Sequence, residues 1–177
     1  MCKPSRQRGV SLIEVLVAVM IFSIGLVGLA GLLIMATRSN QAAYLRTQVT
    51  FLAHNMADRM SANPMAVWDG SYNSTGYPVA TTVTTKCDNS SPCTPDDLAT
   101  HDMQMWSSQL AAFLPNATAK IKCDNSAAGF APSTTQYGMR PPYGGNCIMT
   151  INWSERGAGD KANSVAFTQS FAWEFQP

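Results

Sequence analysis

From Val15 to Ala36 the chain runs 22 residues without a charge, and only Ser23, Gly25, Gly28 and Gly31 interrupt its apolar side chains. A helix needs about 20 such residues to cross a bilayer. Beyond Ala36 the apolar pattern changes from continuous to periodic. Leu45, Val49, Leu52, Met56 and Met60 recur at steps of four, three, four and four, the spacing of one helical face. Arg38, Arg46, Asp58 and Arg59 fall off that stripe. No proline lies between Val10 and Asn63, so the pattern predicts one helix of 54 residues, about 80 Å long at about 1.5 Å per residue. Its stripe is expected to pack on the chain's own globular domain. Asn63-Pro64 is expected to end it, because proline pushes the preceding residue out of the α region. Gly25, Gly28 and Gly31 weaken the helix by up to about 1 kcal/mol each relative to alanine; close helix packing in the membrane is their expected role.

Residues 64–177 read as a head. Thr94-Pro95-Asp96-Asp97 has the marks of a helix start: threonine as N-cap, proline first, acids in the first turn. Ala99, Met103, Trp106, Leu110 and Phe113 then share one helical face, and Leu114-Pro115 closes it. Lys120–Cys123 is a short strand candidate. Cys147, Met149, Ile151 and Trp153 alternate with polar-leaning neighbours, and Val165, Phe167, Phe171, Trp173 and Phe175 share the parity of a second strand. Joined through 155–163, with Gly157 and Gly159, they predict an antiparallel hairpin. Val79–Thr85 is a candidate edge strand, and 124–146 a loop. The fold class expected is α+β, a long N-terminal membrane-spanning helix packed on a head built of antiparallel sheet.

Composition narrows the function classes. The chain has 177 residues, enough for one ordinary domain, with 13% charged side chains and a formal net charge of +1. Its Lys and Arg form no basic patch, which argues against nucleic acid as a partner. Four of the five cysteines, Cys87, Cys93, Cys123 and Cys147, lie beyond the apolar span. An even number in an oxidising compartment implies two disulfides, with three connectivities open. Proximity pairs Cys87 with Cys93; the other pair, Cys123 with Cys147, would tie two strands across the long loop. The spacings lack the two-residue separations of zinc ribbons, so no metal site is expected. His54 and His101 have no sequence-local catalytic partner, Asp88, Asp96 and Asp97 lack calcium-loop spacing, and no phosphate loop is present. No catalytic residue and no cofactor are expected, and the chain does not read as an enzyme.

The N-terminus is the most specific feature. Residues 1–9 carry Lys3, Arg6 and Arg8 and no acid, which holds the N-terminus in the cytoplasm and sends everything beyond Ala36 outside the inner membrane. A secretory signal fits poorly, since its apolar core is about 7–15 residues and ends in a cleavage site of small residues. A plain anchor leaves Glu14 without a task, although a carboxylate in an apolar helix near the membrane costs about 2.5–3.5 kcal/mol on insertion scales.

Arg8-Gly9-Val10-Ser11-Leu12-Ile13-Glu14-Val15-Leu16-Val17-Ala18 resembles the class III signal of type IV pilins and type II secretion pseudopilins. That resemblance implies cleavage after Gly9 by a prepilin peptidase, N-methylation of Val10 where the family usually has phenylalanine, and an assembly role for Glu14. Cys2 would leave with the leader. Cys87…Cys93-Thr94-Pro95…Asp102…Trp106…Leu110…Leu114-Pro115, with Leu52-Ala53…Met56-Ala57-Asp58-Arg59-Met60…Asn63-Pro64 and Ile151-Asn152-Trp153, resembles minor pilins within that superfamily. The organisation then expected is a leader at 1–9, a membrane and assembly half-helix at 10–36, a periplasmic half-helix at 37–63 and a disulfide-bearing head at 64–177. Its partners would be other minor pilins, the major pilin, the prepilin peptidase and a large tip adhesin. A type II secretion pseudopilin and a membrane-anchored periplasmic binding protein or enzyme are the competing readings.

Overall fold

The computed structural model describes residues 9–80, 82–88, 90–156 and 166–177. The chain forms two compact units, one ending at Gln41 and one running from Ala42 to Pro177. Helix α1, Leu12–Ala62, contributes to both. Its first acceptor is the Ser11 carbonyl, which receives the N–H groups of Glu14 (3.0 Å) and Val15 (3.3 Å). The helix therefore starts at Leu12, not at Val10 as the pattern suggests: serine is a favoured residue for the cap position. In the first unit every described residue is exposed. The hydroxyls of Ser23 and Thr37 donate to the carbonyls of Val19 and Ile34, so both polar groups are satisfied inside the helix.

In the second unit the stripe turns inward. Leu45, Val49, Leu52, Ala53, Met56, Ala57 and Met60 are buried. The helix stops where Asn63 leaves helical geometry (φ −128°, ψ 60°). Pro64 does not open a loop, however. It is the first residue of a short helix α2, Pro64–Trp68, where its missing N–H costs nothing. Helix α3, Pro95–Phe113, is capped by Thr94, whose Oγ1 accepts the Asp97 N–H (3.2 Å) and donates to the Asp97 carboxylate (2.8 Å). Ala99, Trp106 and Leu110 are buried on it and Met103 packs against the core. Phe113, expected on the same face, is 43% exposed. It belongs to the last turn, and the extended C-cap Leu114 is buried in its place.

Four antiparallel strands form one sheet in chain order: β1 Ser74–Tyr77, β2 Thr118–Asp124, β3 Asn146–Arg156 and β4 Ala166–Phe175. On β3, Cys147, Met149, Ile151, Trp153 and Glu155 face the core, and their partners on β4 are Phe175, Trp173, Phe171, Gln169 and Phe167. Strand β3 thus includes Glu155, which the sequence pattern assigns to the connection. Val165 lies outside the described residues. The edge strand expected at Val79–Thr85 is not formed by its described residues; β1 is the edge on the β2 side of the sheet. Their backbone donors go to α3 instead of to a strand: the Val79 N–H to Ser107 Oγ (3.1 Å), and those of Thr84 and Thr85 to Gln104 Oε1 (2.8 and 3.1 Å). The loop between β2 and β3 contains a 3-10 turn, Tyr137–Met139, and a buried Tyr143 set edge-on to Trp68. It re-enters the sheet through Gly145, where a Cβ would collide with the Asp124 carbonyl oxygen.

A buried polar network joins the C-terminal half of α1 to the rest of its unit. Arg59 Nη1 donates to Asp102 Oδ1 on α3 (2.7 Å), and Arg59 Nε to Asn55 Oδ1 (2.9 Å). The Tyr72 hydroxyl donates to Asp102 Oδ2 (2.8 Å), and Asn63 donates to the Pro95 carbonyl (2.7 Å) and to the Tyr72 oxygen (3.2 Å). The Tyr77 hydroxyl donates to the Tyr72 carbonyl (2.9 Å). Beside this network Trp106 Nε1 donates to the Leu52 carbonyl (2.9 Å) and its ring meets Tyr77 edge-on at 5.0 Å.

This network sets the response to mutation and to alkali. Arg59→Ala strands the Asp102 carboxylate and is expected to cost about 2–3 kcal/mol, near the range for breaking a buried pair. Arg46→Ala, off the stripe and exposed, is expected to stay within about 0.5 kcal/mol. Urea unfolding of the detergent-solubilised chain, read by tryptophan fluorescence, separates them. Alkali is the second lever. Burial, then the Asp102 charge, push the Tyr72 hydroxyl above its usual value, and burial does the same for Tyr77. A group whose folded pKa is raised contributes stability below its unfolded value, about 10 for tyrosine, and loses it as pH rises beyond. The urea midpoint should therefore be level from pH 8 to about 10 and fall above it, and Tyr77→Phe should flatten that fall.

Candidate functional site

The residues singled out by the sequence lie in two places. Gly9 and Val10 precede helix α1, and Val10 is 70% exposed. Glu14 sits in the first turn of α1, where the exposed N–H groups of a helix start favour negative charge. Among the described residues no side chain hydrogen-bonds its carboxylate. Cutting the chain after Gly9 would leave two residues, Val10 and Ser11, ahead of the helix, with a new cationic amine within about a turn of Glu14.

From Val15 to Ala36 the helix is exposed and apolar on every side. Val15, Leu16, Val17, Val19, Met20, Ile21 and Phe22 are all more than half exposed, as are Leu32, Leu33, Ile34 and Met35 further on. An 18-residue stretch of this helix has a mean hydropathy of 2.6. By length and composition the helix is able to cross a membrane. A Cβ added at Gly25, Gly28 or Gly31 would meet nothing within 4 Å, so within this chain these glycines make room for no side chain.

The second place is the head. Cys87 is bonded to Cys93, and Cys123 to Cys147. Cys123 and Cys147 are direct cross-strand partners on β2 and β3, so their bond closes the mouth of the 124–146 loop at the sheet. The bond between Cys87 and Cys93 closes a tight loop just ahead of the α3 cap.

The acids noted in the sequence are absorbed by local structure. Asp88 accepts the Ser90 hydroxyl and the N–H groups of Ser90 and Ser91, which hold its carboxyl below the usual range. Asp96 accepts the Ser71 hydroxyl (2.6 Å) and Asp97 the Thr94 hydroxyl. His101 Nδ1 lies 2.6 Å from the Thr85 carbonyl oxygen, and the His54 ring packs on Trp173 at 4.7 Å. Among the described residues no three of His, Cys, Asp or Glu gather as a metal site would require. A hollow of about 360 Å³ on the outer side of the sheet mixes Lys122 with Asp124 and Glu174, with Asn146 bonded to Glu174 (3.0 Å).

Sequence periodicity missed two features. Asp102 shares the apolar face of α3 with Ala99 and Trp106, three and four residues away; a charge at that spacing was the available signal of a buried partner. Glu155 has the inward parity of Cys147 through Trp153, which was legible once the strand was allowed two more residues.

The prokaryotic N-terminal methylation motif matches residues 4–30, a stretch that holds Gly9, Val10 and Glu14. No curated protein and no solved structure matches the chain. The motif supports a type IV pilin-like protein, a pilin or a pseudopilin, and with it prepilin peptidase processing, inner-membrane anchoring and a structural task.

Proposed function

We propose that the chain is a PilV-like minor pilin, which joins other pilins in the inner membrane to prime type IV pilus assembly and so serves twitching motility and adhesion. The observation that carries this is the junction at the N-terminus: a basic leader, Gly9, and Glu14 in the first turn of a helix whose next stretch is apolar on all sides. An all-round apolar helix suits lipid and the helices of neighbouring pilins alike. The N-terminus would face the cytoplasm and the head the periplasm, then the filament, near its tip. A type II secretion pseudopilin has the same signal; the disulfide-bearing head of 114 residues, 64–177, favours the minor pilin.

Glu14 is the assembly residue in this reading and Val10 the methylated one. A carboxylate at membrane depth is stabilised by a paired cation, and cleavage creates one at Val10. The amine of a neighbour offers the same pairing and sets the axial position at which a subunit enters.

Processing is tested by intact mass. The mature chain is expected to have 177 − 9 = 168 residues, its formal charge falling from 12 − 11 = +1 to 9 − 11 = −2 as Lys3, Arg6 and Arg8 leave. A strain without the prepilin peptidase should keep the full mass. An unchanged mass in both strains, or a cut near residue 36, overturns the reading.

Glu14→Ala tests assembly. The variant should insert, be cut after Gly9 and keep its head stability, since the change makes the span more apolar and lies outside the head. It should lose crosslinks to other pilins and the surface pili that depend on them. Crosslinking in membranes with a pilus count decides it; wild-type levels of both would make Glu14 a tolerated membrane-edge acid.

A further inference from the structure

Among the described residues strand β4 pairs with β3 alone and so forms one edge of the sheet. Proteins protect such edges with lysine, proline, bulges or short strands. Ala166–Phe175 has ten residues, pairs with β3 in an unbroken sequence of partners, and contains no lysine, arginine or proline. Its core-facing row is progressively uncovered: Phe175 is 8% exposed, Trp173, Phe171 and the one polar member, Gln169, are half-buried, and Phe167 is 45% exposed. A mostly apolar shelf, interrupted by Gln169, thus runs along an edge whose one charge, Glu174, lies near its C-terminal end.

The uncovered end of this shelf holds a charge with a bare oxygen. Glu155 is the cross-strand partner of Phe167 on the same face. It is only 7% exposed, and its Oε2 has no hydrogen-bond partner among the described residues. Two residues before it on that face, Trp153 is 4% exposed with Nε1 likewise unpartnered. A buried carboxylate in this state is costly. Its cheapest remedy is a cation, reached over the Phe167 ring from the position beyond β4, two strand spacings or about 10 Å from β3. An arginine or lysine stem lying on an exposed phenyl ring meets both demands.

We infer that the free edge of β4 docks an extended strand of a different pilin head, antiparallel to β4, which seats an arginine or lysine on Glu155. The inference rests on the pilin reading, because the direction follows from a shared membrane. In a sheet of four antiparallel strands the first and last run in opposite directions. A like-oriented neighbour therefore presents its first strand antiparallel to β4 and continues the sheet, a head-to-tail contact that does not close on itself. A second copy of this chain is the wrong occupant. Its own first strand, Ser74–Tyr77, and the flanking residues 71–78 hold no lysine or arginine.

A photocrosslinking amino acid at Ser170, exposed on β4, in the full chain in membranes of pilus-assembling cells tests this. The control position is Lys120, exposed on β2, which is paired on both sides. Ser170 should give an adduct with another pilin, on a segment carrying a lysine or arginine, and Lys120 should not. Glu155→Gln should lower the adduct at least tenfold, Glu155→Lys abolish it, and an acidic residue at the partner's crosslinked cation restore it with Glu155→Lys. Glu155→Gln should leave the unfolding midpoint of the solubilised chain unchanged or raised; a fall would show an internal partner and overturn the inference. Adducts to a second copy of this chain, or none from Ser170 in a chain that is cleaved after Gly9 and assembles through Glu14, also overturn it while leaving the pilin reading intact. Absence of cleavage and of Glu14-dependent crosslinks would instead remove the premise, and the inference with it.

Discussion

Between its first and last turns helix α1, Leu12–Ala62, satisfies its own backbone hydrogen bonds, and this self-sufficiency is the constraint on which the rest of the molecule depends. A segment that needs no outside partner for its N–H and C=O groups is free to be apolar on all sides and still enter lipid. The same helix, a few turns further on, narrows its apolar surface to the stripe from Leu45 to Met60, which the second unit buries. Two solvents act on one continuous element. The change from all-round to one-sided hydrophobicity lies between Ala36 and Leu45, where Arg38 appears.

Apolar packing on a stripe of leucines and methionines leaves rotation and sliding weakly specified. The polar contacts of the second unit supply that specification. Arg59 must find Asp102, Trp106 must find the Leu52 carbonyl, and Asn63 must reach the Pro95 carbonyl. These bonds are directional and lie along about three turns' length of chain, from Leu52 to the end of α1. They fix α3 on the helix and, through Tyr72 and Tyr77, fix the edge strand β1 beside it. The disulfide between Cys123 and Cys147 plays the matching part at the far side of the loop, holding β2 against β3 where that loop departs.

How much of this was legible depends on the range of each signal. The span, the stripe, the capped start of α3 and the hairpin of β3 with β4 are written in local periodicity and capping chemistry, and the sequence displays them directly. The edge strand β1 was not legible. Val79 and its neighbours have strand-forming residues, but Ser107 and Gln104 on α3, distant in sequence, take their backbone donors; the four residues that do form β1 include a glycine and carry no alternation. Phe113 failed for a related reason, and Phe167, on the parity expected, is left uncovered by the same cause. Periodicity says which way a side chain points, and the extent of the covering layer decides whether it is buried. At the N-terminus Gly9, Val10 and Glu14 were readable as a motif, while the start of the helix at Leu12 depends on Ser11 as its first acceptor.

Glu14 and Glu155 pose one physical question at opposite ends of the chain. Glu14 stands at the head of an exposed apolar helix, and Glu155 lies at the uncovered end of an apolar shelf; neither has a cationic partner among the described residues. Inside a self-contained soluble domain such placements would be removed at little structural cost, since glutamine fills the same volume without the charge. In a subunit that works only among neighbours they have a different meaning. An apolar surface alone attracts any apolar partner, in any position, because the hydrophobic effect is non-directional. A charge that is costly when unpaired rejects every position but the one that brings a cation to it. On the pilin reading proposed above, each acid would convert a broad sticky surface into a specific one: Glu14 for the helix among helices, Glu155 for the strand at the sheet's edge.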